Sequence, residues 1–93
     1  MAWILKVDGT KEELIGAGPD RELSLEQLRK GIGGGWIESL TISPTEVLIV
    51  DEEGKLKNMP FNQQATEKAM NAGFADMIVG DAILCRHKNG EMY

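Results

Sequence analysis

Cysteine and histidine are nearly missing from this chain, which has one of each, Cys85 and His87, among its 93 residues. A lone cysteine closes no intrachain disulfide, which fits a reducing cytosol. One thiol and one imidazole also fall short of a structural zinc site. Cations are scarce as well: 10 Lys and Arg stand against 15 Asp and Glu, for a net charge of −5. A chain this acidic lacks the basic face that duplex nucleic acid requires. No apolar run approaches membrane-spanning length, and Met1 to Lys6 is too short for a signal-peptide core. The expectation is a cytoplasmic protein with neither a membrane nor a duplex partner. A nucleophile elbow, a phosphate-loop lysine motif and a dinucleotide fingerprint are all absent. Asp51-Glu52-Glu53 lacks the alternating ligands of a calcium loop and reads as a solvated turn. No cofactor or metal is indicated, and the expectation is a protein that is not an enzyme.

What is present describes one ordinary globular domain, residues 1–93, with 42% apolar and 27% charged residues. Its organising stretch is Leu23 to Ile42, a helix, a glycine hinge and a strand in one run. Ser24 followed by Gln27 is a capping box, and Leu23 with Leu28 makes a hydrophobic staple. Leu25, Leu28 and Ile32 fall on one helical face. Gly31 is placed to stop the helix in the left-handed conformation. After Gly33-Gly34-Gly35 the alternation puts Trp36, Glu38, Leu40 and Ile42 on one side of a strand.

On either side of that stretch the signals are those of short strands and one more helix. Ala2 to Val7 reads as a strand with Trp3, Leu5 and Val7 on one side and Ile4 on the other, and Asp8-Gly9 is a hairpin signal returning through Glu12 to Ile15. Gly16 to Asp20 is a loop by composition. Val47-Leu48-Ile49-Val50 is an unbroken apolar run, as in a strand covered on both faces. Asp51 to Gly54 turns it into Lys55-Leu56-Lys57, whose lysines suit an edge strand. Asn62 caps a second helix to about Ala72, with Phe61, Ala65, Ala69 and Ala72 facing inward and Gly73 as the stop. Asp76 to His87 is a last strand region, in which Gly80 implies a bulge or a close approach. Lys88 to Glu91 is a turn, leading to a small returning edge at Met92-Tyr93. The predicted class is α+β, a small, mostly antiparallel sheet with two short helices.

Each chemical candidate has a plain alternative. Cys85 and His87 share a strand face, as a thiol–imidazole dyad would, but no third group orients them; a buried thiol and an exposed imidazole explain both. Gly33, Gly34 and Gly35 can turn successive N–H groups inward as an anion-binding nest, or serve only to redirect the chain. Glu38 sits among apolar neighbours, either facing a cavity or an edge in water. Asp81 either shares a face with Met77, Val79, Ile83 and Cys85 or is turned out by a bulge at Gly80. Asn62, Gln63 and Gln64 offer neutral donors and acceptors of the kind that read bases, or cap a helix.

An ordered series of short motifs also carries a family resemblance. Gly34-Gly35-Trp36-Ile37-Glu38, Leu48-Ile49-Val50-Asp51-Glu52-Glu53-Gly54-Lys55-Leu56, Met59-Pro60-Phe61-Asn62 and Ile78-Val79-Gly80-Asp81-Ala82 span nearly the whole chain. The series resembles a small-domain family of unknown function found in phages, plasmids and Gram-positive bacteria. Its members read valine-glycine-glycine-tyrosine-isoleucine-glutamate, glutamate-glycine-lysine, leucine-proline-leucine-asparagine and isoleucine-valine-glycine-aspartate. Trp36 stands where tyrosine is usual, and Gln63-Gln64 where arginine is frequent. The resemblance implies a phage or mobile-element origin and the cytoplasm of a bacterial host.

Together these readings lead to an expectation of a phage-type binding protein, acting as a homo-oligomer, that sequesters a nucleotide-like ligand. Gly33 to Gly35 would hold phosphate, Trp36 or Phe61 would stack on a base, and Asn62, Gln63, Glu38 and Asp81 would supply polar contacts. Small phage proteins that sponge up the cyclic nucleotide signals of bacterial immunity are the analogy, drawn from size and context. The alternative is an acidic inhibitor or regulator of a host defence or DNA-binding protein.

Overall fold

The computed structural model describes residues 1–16 and 23–86. Five strands and two helices follow one another as β1 (Ala2–Leu5), β2 (Lys11–Leu14), α1 (Leu25–Gly31), β3 (Ile37–Ser43), β4 (Glu46–Asp51), α2 (Gln63–Asn71) and β5 (Ala82–Arg86). They form the expected α+β fold, an antiparallel sheet in the order β2-β1-β5-β4-β3. Two hairpins, β1–β2 and β3–β4, lie on either side of β5, which occupies the middle.

Alternation along the strands gives the sheet two apolar faces. Ala2, Ile4, Val47, Ile49, Ile83 and Cys85 pack with Leu28 and Ile32 from the α1 region on one face. Leu5, Leu48, Val50, Ala82 and Leu84 pack with Ala65 and Ala69 of α2 on the other. Val47 to Val50 is therefore covered on both sides, as its unbroken apolar run predicts, and β4 is an interior strand between β3 and β5. The small side chains of Ala65 and Ala69, both fully buried, let α2 lie close to the sheet.

The helix starts follow the sequence signals. Ser24 Oγ accepts from the Gln27 N–H at 3.0 Å and Gln27 Oε1 accepts from the Ser24 N–H at 3.1 Å, completing the capping box. Asn62 Oδ1 accepts from the Ala65 N–H at 3.1 Å to cap α2. The end of α1 differs from expectation. Gly31 is its last helical residue, where a Cβ would come 2.8 Å from Ile83 Cδ1, and the left-handed stop is Gly33 with φ +98°. Gly31 is thus small because the helix packs closely on β5, not because the chain turns there.

Four further differences have local causes. Leu25 lies at the border of the apolar stripe of α1 and is 57% exposed, on the side of Arg29 rather than Leu28. Phe61 precedes the α2 cap and is half exposed. Lys55-Leu56-Lys57 forms no strand, because consecutive turn bonds (Lys57 N–H to Glu53 O, Asn58 N–H to Lys55 O, Met59 N–H to Gly54 O) coil the segment and swing Lys57 towards Asp51. Gly80 makes the close approach expected of it, a Cβ there coming 2.6 Å from the Met59 sulfur, but its φ of +77° also breaks the last strand region, so β5 begins at Ala82 and Phe61 bridges Val79 separately. Most of the predicted 16–20 loop, and all of His87 and the 88–93 turn and edge, lie outside the described residues. Among the described residues, no helix is long and apolar enough to cross a membrane.

Candidate functional site

The glycine hinge is the natural place to begin, and its backbone is already occupied. The Gly33 N–H donates to Lys30 O at 3.2 Å and the Gly34 N–H donates to the Arg29 carbonyl at 2.6 Å. This is a Schellman ending, in which the residues after the helix satisfy its last carbonyls. Both glycines need it, with φ +98° and +97°. The donors proposed for a phosphate nest are consequently spent on the helix, and the nest reading is corrected for Gly33 and Gly34. Gly35 has a different constraint. It is buried, and a Cβ there would collide with Asp51 Oδ2 and Lys57 Nζ.

The loop so formed is held by a residue that the sequence reading passed over. Arg29 Nε donates to Gly35 O at 3.2 Å and Arg29 Nη2 donates to Gly34 O at 3.3 Å. The same guanidinium lies 4.7 Å from the centroid of the Trp36 ring. Trp36 remains 61% exposed, anchored by its carbonyl, which accepts from the Glu52 N–H at 2.9 Å. Beside this stack is an open depression of about 930 Å³, lined by Leu25, Glu26, Arg29, Lys30, Gly33 and Gly34. In an acidic protein, an aromatic surface and two cations meet at the end of one helix. The signal was available in Arg29-Lys30-Gly31-Ile32-Gly33-Gly34-Gly35-Trp36: a cation one turn before a glycine stop can fold back over the residue that follows the hinge.

The remaining candidates do not join it. Glu38 is exposed on the opposite face, paired with Val50 across β3–β4 and on the side of Leu40 and Ile42, where α2 packs. It lines a small depression with Lys55, Leu56 and Met77, so the edge-in-water reading of its charge holds. Asp81 precedes β5 and its Oδ1 accepts from the Val7 N–H at 3.0 Å, tying down the turn after β1. Gln63 is exposed and its Nε2 donates to Glu67 Oε1 at 3.3 Å along α2. Gln64 Nε2 donates to Lys6 O and Thr10 O, clamping the first hairpin.

Asn62 is fully buried and three of its four side-chain hydrogen-bonding positions are engaged: Nδ2 donates to Leu5 O and to Gly80 O, each at 2.8 Å, while Oδ1 caps the helix. It ties β1, α2 and the approach to β5 together and has no face to offer a ligand. The ligand reading of Asn62 is corrected.

Two buried groups complete the electrostatic picture. Asp51, with its carboxylate fully covered, pairs with Lys57 Nζ at 2.8 Å and accepts from the Glu53 N–H at 2.8 Å. Burial pushes its pKa up, but the Lys57 hydrogen bond, the Glu53 N–H and the Lys57 charge outweigh it and hold the carboxyl below its ordinary value. Cys85 lies fully inside the sheet, where burial raises its thiol to about 11, so it is protonated and unreactive at neutral pH. No cluster of metal-ligating side chains occurs among the described residues.

No curated protein and no solved structure matches the chain. One family does, described as a domain of unknown function, DUF3846, whose pattern covers residues 2–93, nearly the whole length. Matched by that pattern over residues 2–93, the chain belongs to the DUF3846 family.

Proposed function

We propose that this chain is a non-enzymatic binding protein that holds a nucleotide-like ligand at the C-terminal end of α1. The observation that carries the reading is the Arg29–Trp36 stack. An indole that is 61% exposed is fixed by a guanidinium 4.7 Å away, and that Arg29 also lines the neighbouring depression together with Lys30. The open face of Trp36 offers a surface for a base, and Lys30 with the remaining Arg29 donors offers charge for a phosphate. Holding the indole beforehand lowers the ordering cost of binding. Cyclic nucleotide signals of bacterial immunity are the ligand class this reading singles out, with a phage-borne, oligomeric sponge in the bacterial cytoplasm as its biological setting.

Calorimetry against a panel of cyclic and linear nucleotides tests it. Saturable binding that Trp36→Ala weakens supports the reading, and no binding across the panel overturns it. A second reading, inhibition of a host protein, is favoured by separate apolar surface. Leu56 is 81% and Met77 59% exposed at one small depression, next to the Lys55–Asp76 ion pair. Capture of a single defence protein, lost on Leu56→Asp and kept on Trp36→Ala, is the result that reading expects.

A further inference from the structure

A second concentration of positive charge lies on the α2 face of the sheet, away from the α1 end. There a cavity of about 250 Å³ is lined by Trp3, Leu5, Lys11, Lys68, Leu84 and Arg86. The register explains the grouping. Leu5 pairs with Lys11 across β1–β2 and Trp3 pairs with Leu84 across β1–β5, so these four share a face, and Arg86 follows Leu84 by two residues. Lys68 reaches the same space from the last turn of α2, where a cation is also favoured by the helix dipole.

Three of the protein's 10 basic residues thus surround one half-buried indole; among the described residues no carboxylate lines the cavity itself, although Glu13 is the residue paired with Trp3 across β1–β2. One of the three charges is already answered: Arg86 Nη2 and Nε donate to Glu46 Oε2 at 2.9 and 3.2 Å, and its guanidinium lies 5.4 Å from the Trp3 centroid. Lys11 and Lys68 make no ion pair within 4.0 Å among the described residues. Like charges gathered in a small space repel, and an anion between them relieves the repulsion. Two unanswered ammonium groups match a dianion, and the floor of Leu5, Leu84 and Trp3 suits a short carbon body.

We infer that this cavity binds a small dianionic phosphate monoester, its phosphate held between Lys11 and Lys68 beside Trp3. The site is distinct from the Trp36 depression and does not depend on it. The experiment uses the full chain carrying Trp36→Phe, which leaves Trp3 as the one indole, and follows its fluorescence on titration with ribose 5-phosphate, ribose and inorganic phosphate. A saturable change with ribose 5-phosphate, none with ribose and a weaker one with inorganic phosphate are expected. Lys68→Gln and Lys11→Gln should each weaken binding about tenfold, as loss of a charge-assisted contact does, with Lys68→Arg retaining most of it. Thermal unfolding of each variant confirms that it is folded. Absence of a saturable response to ribose 5-phosphate overturns the inference. So does an equal response to ribose or inorganic phosphate, and so does unchanged affinity in both glutamine variants.

Discussion

Gly35 is pressed against the carboxylate of Asp51 so closely that a Cβ on it would force that carboxylate and the Lys57 ammonium to move. The contact joins two segments that are far apart in their local logic, the chain leaving α1 and the chain leaving β4, through an ion pair whose carboxylate is covered and whose Lys57 side chain reaches water. Gly35→Ala should therefore destabilise the fold by about 1–3 kcal/mol through forced displacement of the pair. Gly34→Ala meets open space and is opposed only by its positive φ, so its effect should be near ~1 kcal/mol. Urea unfolding of the two variants side by side checks the order.

Asp51 also sets an acid limit. Its folded pKa is held below the ordinary carboxylate value of about 3.9. A carboxyl with a depressed folded pKa adds stability that is fully present above its unfolded pKa and lost as pH falls through the folded value. Stability should decline as pH is lowered below about 4, and Asp51→Asn should flatten that limb while lowering stability at neutral pH. Denaturant midpoints measured from pH 7 downward on both proteins test the sign.

Asn62 should behave as a structural residue. Asn62→Ala leaves the carbonyls of Leu5 and Gly80 without their donor and removes the α2 cap, for an expected loss of about 2–4 kcal/mol. If the variant stays folded, any ligand affinity at the Trp36 site should be unchanged. A loss of affinity without a loss of stability would return Asn62 to the ligand site.

For Trp36 the opposite is expected. Trp36→Ala should leave the unfolding midpoint nearly where it is, since the ring is 61% exposed, and should weaken nucleotide binding by about 1–3 kcal/mol if a base stacks on it. Calorimetry and denaturation on the same preparation separate the two effects.

Cys85 supplies a probe of opening. With its thiol raised to about 11 and fully buried, it should resist alkylation in the folded protein at pH 8 and react promptly once denaturant exposes it. Cys85→Ala should retain ligand binding. Rapid modification under native conditions would show that the centre of the sheet opens readily.

Much of this architecture was legible because its causes are local. The Ser24–Gln27 box and the Asn62 cap need only three residues of context, and alternation alone placed Trp3 and Leu5 opposite Ile4 and Leu40 with Ile42. The unbroken run at Val47 to Val50 announced burial on both faces. What escaped was geometry that depends on how turns aim side chains. Lys57 reads as an edge lysine until the coiled turn after Gly54 carries it back to Asp51. Arg29 reads as an ordinary helix cation until the Schellman ending folds Gly34 and Trp36 beneath it. The role of Asn62 required knowing that Leu5, 57 residues earlier, lies beside it. The expected pocket failed for the same reason, since residues close in sequence around Gly34 and Glu38 face opposite sides of the sheet.

The place of β5 has a consequence for synthesis on the ribosome. Both hairpins are complete in the emerging chain before Ala82 to Arg86 is made, yet within the described sheet they pair not with each other but only with that strand. Until then β1 and β4 each present an unpaired inner edge, the kind of surface that recruits stray strands. Closure must await pairings as distant as Ala2 with Cys85, so the sheet forms in one late, long-range step rather than growing from its beginning. A nascent chain halted before Ala82 would carry two separate hairpins, and its protection from proteases would arrive abruptly with the last strand.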